Sequence, residues 1–204
     1  MNPQQNQDPN QYPIDYLNQI SAKPVQKTVN SKLVFVLIGG VILLAIIALF
    51  ALMSGGNGPT QKMQTLAARL QTLQKVSSTA QKSIKSGELR GTNSSLTIFL
   101  TNATRDMVDP LSKSGVDIKK LDKNIVTKEN GETLSKKLED ARLNAVFDRT
   151  YSREMTYQLE TVAALMTDIY TSSKSKALKD YLLKTDEGLQ PLKKQLAEFN
   201  ATNG

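Results

Sequence analysis

The sequence contains no histidine and no cysteine. The first absence removes the commonest general base and the commonest metal ligand. The second removes disulfides, thiol nucleophiles and any lipoprotein attachment site. Aromatic residues make up only 5% of the chain, and no basic face is interleaved with them as single-stranded nucleic acid would require. No GxSxG, HExxH or GxGxxG spacing occurs, which excludes the usual hydrolase, zincin and dinucleotide fingerprints. Not one Asp or Glu lies between Ser54 and Gly87. What remains is a chain of 204 residues with a net charge of +7 and a pI near 9.5. That balance favours anionic partners such as phospholipid headgroups or wall polymers, with nucleic acid disfavoured.

One stretch sets the class. Leu33 to Met53, LVFVLIGGVILLAIIALFALM, holds 21 residues without a charge. At 1.5 Å per residue it reaches roughly 31 Å, the hydrocarbon thickness of a bilayer. The preceding region is too long for a signal-peptide n-region and the apolar block too long for an h-region, so an uncleaved signal anchor is expected. Lys23, Lys27 and Lys32 crowd its N-terminal side, against Lys62 and Arg69 in the comparable window beyond it. The positive-inside rule then puts the N-terminus in the cytoplasm. Residues 1–32, rich in Gln, Asn and Pro, read as a disordered tail. Within it YPIDYLNQI offers Tyr12, Ile14, Tyr16, Leu17 and Ile20 as a docking peptide, with Ile14, Leu17 and Ile20 three apart on one edge of an induced helix.

Residues 54–61 read as a linker, with Pro59 before a helix start. The rest, 62–200, carries helical periodicity and no strand-like alternation. Met63, Leu66, Leu70, Leu73, Ser77, Ala80 and Ile84 form one stripe of a helix over 62–86 that Gly87 is placed to end. A second helix is expected over 93–114, capped by Asn93 or Thr92, with Leu96, Phe99, Ala103 and Met107 inward and Pro110 kinking or ending it. Residues 115–132 are a long connection bearing Lys119, Lys120, Lys123 and Lys128, closed by an Asn130-Gly131 turn. A short helix follows over 133–142 from a Thr133 cap, and Asn144 reads as the next N-cap. A third long helix over 145–172 turns Phe147, Tyr151, Met155, Leu159, Val162, Met166 and Ile169 to one face. A fourth over 174–200 does so with Leu178, Tyr181, Leu182, Leu189, Leu192, Leu196 and Phe199, kinked at Gly188 and Pro191. Four matched amphipathic helices with a long link between the second and third imply an all-α, antiparallel four-helix bundle.

The stretch FDRTYSREM carries a further pattern: Phe147, Asp148, Tyr151 and Met155. Phe99 and Asp106 in the second helix, and Leu192-Lys193-Lys194-Gln195-Leu196 in the last, extend it. In these residues and in its helix layout, over roughly residues 60–200, the chain resembles an exported bacterial ferritin-like domain of unknown function. The family's histidines are replaced here by Leu159, Met107 and Gln195. A di-iron bundle needs a Glu from each of two helices and Glu-x-x-His from the other two. This chain has no histidine and no carboxylate in its first helix, and Glu154 and Glu160 lack partners at the required places.

Other chemistry is thin. Asp148 is expected to form a structural ion pair with Arg149, Arg153 or Arg105. Ser173 and Lys176 satisfy S-x-x-K, but in a polar turn rather than the apolar pocket a Ser–Lys dyad needs. The expected reading is therefore a non-catalytic interaction module: a single-pass protein of the bacterial cell membrane, tail inside and bundle outside, without cofactor, docking a protein or an anionic envelope polymer. The tail residues above and Lys119, Lys120 and Lys123 are the candidate docking residues. The alternative is an extracytoplasmic enzyme or metal-handling protein of ferritin-like type working with carboxylates alone.

Overall fold

The computed structural model describes residues 58–203. The expected tail, the apolar span 33–53, the start of the linker and the candidates Tyr12, Ile14, Tyr16, Leu17 and Ile20 lie outside the described residues. Within them the only regular structure is helical, and no helix there is long and apolar enough to cross a membrane. The helices are α1 (Pro59–Ala80), α2 (Gly87–Asp106), α3 (Val108–Lys113), α4 (Lys123–Lys128), α5 (Glu132–Leu143), α6 (Phe147–Ser172) and α7 (Lys176–Asn203).

Side-chain contacts fix how the four long helices run. Gln74 donates to Thr101 at 3.1 Å and Gln81 to Ser94 at 3.0 Å, so α1 and α2 are antiparallel. The Tyr181 hydroxyl donates to the Ala103 carbonyl at 3.0 Å while Gly188 lies against Phe99, so α2 and α7 are antiparallel too. Lys62 meets Asp168 at 2.8 Å, and Asp148 meets the backbone of Lys85 and Ser86, which opposes α1 and α6. Ser152 donates to Asn200 near the end of α7, which opposes α6 and α7. The ring is thus α1–α2–α7–α6. A consequence is that α2 and α6 point the same way. Residues 107–146 must therefore return along the length of the bundle, and α3, α4 and α5 are the pieces of that crossover.

The apolar stripes meet inside this ring. Leu66, Leu70, Leu89, Leu96, Leu100, Met107, Tyr151, Met155, Leu159, Val162, Leu178, Leu189 and Leu196 are all fully buried. Each such aliphatic side chain contributes about 1.5–3 kcal/mol on leaving water. Every residue of the α1, α6 and α7 stripes read from periodicity is buried. Phe99, expected inward, packs against the core but keeps partial exposure. Gly188 explains its position: a Cβ there would stand 2.8 Å from the Phe99 ring.

The helix boundaries depart from expectation, for tertiary reasons. Pro59 opens α1 at its first turn, so residues 59–61 belong to the helix rather than the linker. α1 ends at Ala80, six residues short of the expected end, because Ile84 turns inward from the link and is buried. Gly87 does not stop α1; it is the first residue of α2, which Ser86 caps through the Leu89 N–H. Asn93 is not a cap but a fully buried residue in the second turn of α2. The break expected at Pro110 falls at Met107. Gly131, not Thr133, precedes α5, and Asn144 closes α5 by donating to the Asp140 carbonyl instead of opening α6. Ala145 takes the left-handed turn between them at φ 59°. Gly188 and Pro191 lie inside one continuous α7, with Pro191 exposed, so its missing N–H is on the solvent side.

Gly131 is a position where glycine is required twice over. Its φ is +72°, and a Cβ would stand 2.6 Å from the Thr72 methyl on α1. Gly115 has φ +83° but open space around it. Gly131→Ala is expected to lower stability by about 2–3 kcal/mol, and Gly115→Ala by about 1 kcal/mol, the backbone strain alone. Denaturant titration followed by circular dichroism measures both; equal losses would mean that the crossover does not press on α1 at Gly131.

Candidate functional site

The crossover is the part of the fold that carries candidate docking residues, and it is held in place by paired polar groups. The Arg69 guanidinium grips the Glu129 carboxylate with two bonds of 2.7 and 2.8 Å, both side chains largely shielded from water. Thr72 donates to the Glu129 carbonyl, and the Asp122 N–H donates to Gln64 at 2.8 Å. Val116 and Ile125 are buried beneath, and Ile118 and Leu121 pack partly against the core. Further along, Lys137 on α5 meets Glu154 on α6 at 2.9 Å. A bidentate guanidinium–carboxylate contact sets direction as well as distance, so the segment is a ridge of defined position along α1 and α6.

Lys119, Lys120, Lys123 and Lys128 stand exposed on that ridge, and none of them forms an ion pair among the described residues. Two carboxylates of this stretch, both exposed, accept backbone N–H groups of the loop. Asp117 accepts the Lys119 N–H at 2.9 Å, and Asp122 caps α4 by accepting the Asn124 N–H at 2.7 Å. The three lysines singled out from sequence, Lys119, Lys120 and Lys123, are all exposed at the start of the crossover's α4 and the loop before it. Two clefts flank the far end of the crossover, which periodicity alone had no means of revealing. One, of about 260 Å³, lies between α1 and α5 over Val76, Ala80, Leu138 and Phe147. The other, of about 330 Å³, lies at the α5–α6 turn beside Lys85, Arg142, Asp148 and Arg149.

The FDRTYSREM stretch proves to be packing and tethering. Phe147 and Tyr151 stack with ring centres 5.8 Å apart and planes 7° apart. The Tyr151 hydroxyl donates to the Asn93 side-chain oxygen across the bundle, and the Asn93 amide donates to the Ser77 carbonyl at 3.0 Å. Burial pushes the Tyr151 phenol far above its usual range, so it stays a neutral donor. The ion pair expected for Asp148 is replaced by something else. Its carboxylate accepts the backbone N–H groups of Lys85, at 3.0 Å, and Ser86, at 2.7 Å, because the α1–α2 link ends with two amides that no helix satisfies.

The positions where the ferritin-like pattern has histidine do not fit a metal. Leu159 and Met107 have no exposed surface and sit in the apolar core, and Gln195 is on the exposed face of α7. Among the described residues no group of three or more carboxylates stands together. Glu154 is committed to Lys137. Lys176 sits 2.7 Å from Asp180, and that hydrogen bond raises its pKa, the opposite of what a Ser–Lys dyad requires. Ser173 accepts the Ser175 N–H at 3.1 Å within the turn.

Two predictions test this assignment. Asp148→Ala leaves two backbone donors without their charged acceptor and is expected to lower stability by about 2 kcal/mol, with Asp148→Asn losing less; equal stability of all three proteins in a urea titration would remove the tether. Glu160 is half-buried, and desolvation, opposed by Lys193, raises its pKa. A carboxyl whose folded-state pKa is raised folds more favourably when protonated. Glu160→Gln is therefore expected to stabilise the protein at neutral pH. That gain should shrink as pH falls through the raised pKa and vanish below the unfolded value, as read from melting curves across the acid range. No family model, curated protein or solved structure matches the chain.

Proposed function

We propose that the chain is a single-pass membrane-anchored protein of the bacterial envelope, its helical bundle an extracytoplasmic, non-catalytic interaction module for a protein or an anionic envelope polymer. The observation that carries the reading is the crossover: a lysine-bearing ridge clamped to α1 by the Arg69–Glu129 pair. A surface already ordered before binding loses little entropy on docking, and exposed lysines without an ion pair among the described residues offer contacts to an anionic partner. The ferritin-like resemblance is compatible with a ring of four long helices joined by a single long crossover. It lends no chemistry, since the metal positions hold leucine, methionine and glutamine. Anchorage rests on the apolar run Leu33–Met53 and its flanking lysines.

Lysine-directed cross-linking of the full chain in native membranes is the test. Adducts are expected to concentrate on one defined partner. Deleting residues 1–30 is expected to cut their yield about ten-fold while circular dichroism of the bundle stays unchanged. An adduct pattern indifferent to the deletion would end the interaction reading.

A further inference from the structure

We propose that Lys119, Lys120 and Lys123 form a docking surface for the anionic headgroups of the membrane in which the chain is anchored. This inference rests on the anchored reading above and names the anion that the lysine ridge meets.

Connectivity comes first. Only Ser54 to Gly58 separate the expected span from Pro59, the first residue of α1. Five residues reach at most roughly 17 Å when fully extended. The start of α1 is therefore held near the bilayer surface. The end of the bundle that shares this position can be read from contacts. Lys62 at the start of α1 meets Asp168 near the end of α6. The end of α2, the short α3 and the α6–α7 turn lie there too, because α2 and α6 both run toward it.

The crossover places its lysines at this same end. Gln64, in the second turn of α1, accepts the Asp122 N–H at 2.8 Å. At 1.5 Å per residue Gln64 is roughly 8 Å from the first residue of α1. Lys120 and Lys123 are two and one residues from Asp122, and Lys119 is three. The tether and the lysine cluster thus share one end of the bundle, where headgroup charge attracts lysines that come within a screening length of about 8–10 Å.

Paired and unpaired cations stand together at the tethered end. At the tethered end Lys62, Arg105, Lys113 and Lys176 are each matched by a carboxylate, in Asp168, Asp106, Asp109 and Asp180. Lys119, Lys120, Lys123 and Lys174 are exposed there without an ion pair among the described residues. The remaining acids of that stretch, Asp117 and Asp122, accept backbone N–H groups of their own loop. Val108, 41% exposed at the start of α3, adds an apolar side chain at this end. At the opposite end Arg142 is matched by Glu139, and Lys82, Lys85, Arg90 and Arg149 are also exposed without an ion pair among the described residues; what sets Lys119, Lys120 and Lys123 apart is their place beside the tether. Headgroup contact there would hold the bundle against the surface and turn the two clefts of the far end away from it.

The test uses the full chain in lipid nanodiscs, either of phosphatidylcholine alone or of phosphatidylcholine and phosphatidylglycerol in equal parts. Residue-resolved acylation of lysines is the readout, with Lys82 and Lys85 as internal references at the far end. In the anionic discs Lys119, Lys120 and Lys123 are expected to react about five-fold more slowly than in the neutral discs, and the protection is expected to disappear at high salt. Equal reactivity in the two lipids, or protection in neutral discs as well, overturns the assignment. Protection found in native membranes but missing from anionic discs overturns it in favour of a protein or polymer. Flotation in alkaline carbonate keeps the two levels apart: a chain that fails to float with the lipid is not anchored, and both readings fall, whereas an anchored chain with unprotected lysines costs only this one.

Discussion

The Arg69–Glu129 contact is the interaction on which the arrangement depends. α2 and α6 run in the same direction, so the chain has to travel back along the bundle between them. A returning segment of this length is stable in one place only if something holds it part-way. The two bonds from Arg69 to Glu129 do that near the middle of α1, with Thr72 reaching the Glu129 carbonyl beside them. Both charged groups are largely shielded, where a paired charge is tolerated but a lone one is costly. Gly131 follows directly and bends the chain against Thr72 where no side chain fits. α5 then finds α6 through Leu134, Leu138 and the Lys137–Glu154 pair.

The bundle interior is organised differently. It is apolar, with one polar thread: Tyr151 to Asn93 to the Ser77 carbonyl. Each of those groups is hydrogen-bonded, which is what allows a tyrosine hydroxyl and an amide to sit among leucines at little cost. This thread links α6, α2 and α1 across the diagonal of the ring. It fixes the register of those helices in a way that leucine packing alone does less sharply. The same stretch of α6 begins with Asp148, which holds the α1–α2 link at the far end of the molecule.

The bundle is held together inside the ring, and the crossover lies outside it with Lys119, Lys120, Lys123 and Lys128 exposed. Two clefts lie at the other end, one over Val76, Ala80, Leu138 and Phe147 and one at the α5–α6 turn.

The periodic stripes of α1, α6 and α7 were legible from sequence because burial of leucine and its kin recurs at the helical repeat, whatever the partners. The fold class, the long link and the lysine cluster followed from the same pattern. Asn93, Asn144 and Gly87 were misread because a polar or flexible residue has the same local preference for a helix end whether or not the tertiary structure uses it there. Asn93 was claimed by Tyr151 and Ser77, residues distant in sequence, and Asp148 by two amides of a turn rather than by an arginine. The sequence by itself determined which faces are apolar and where charge is absent, since these depend on composition and period. Only the tertiary structure decided which polar groups are paired, where each helix ends and that the lysine-bearing crossover lies against the start of α1, because those depend on contacts between residues that no local pattern connects.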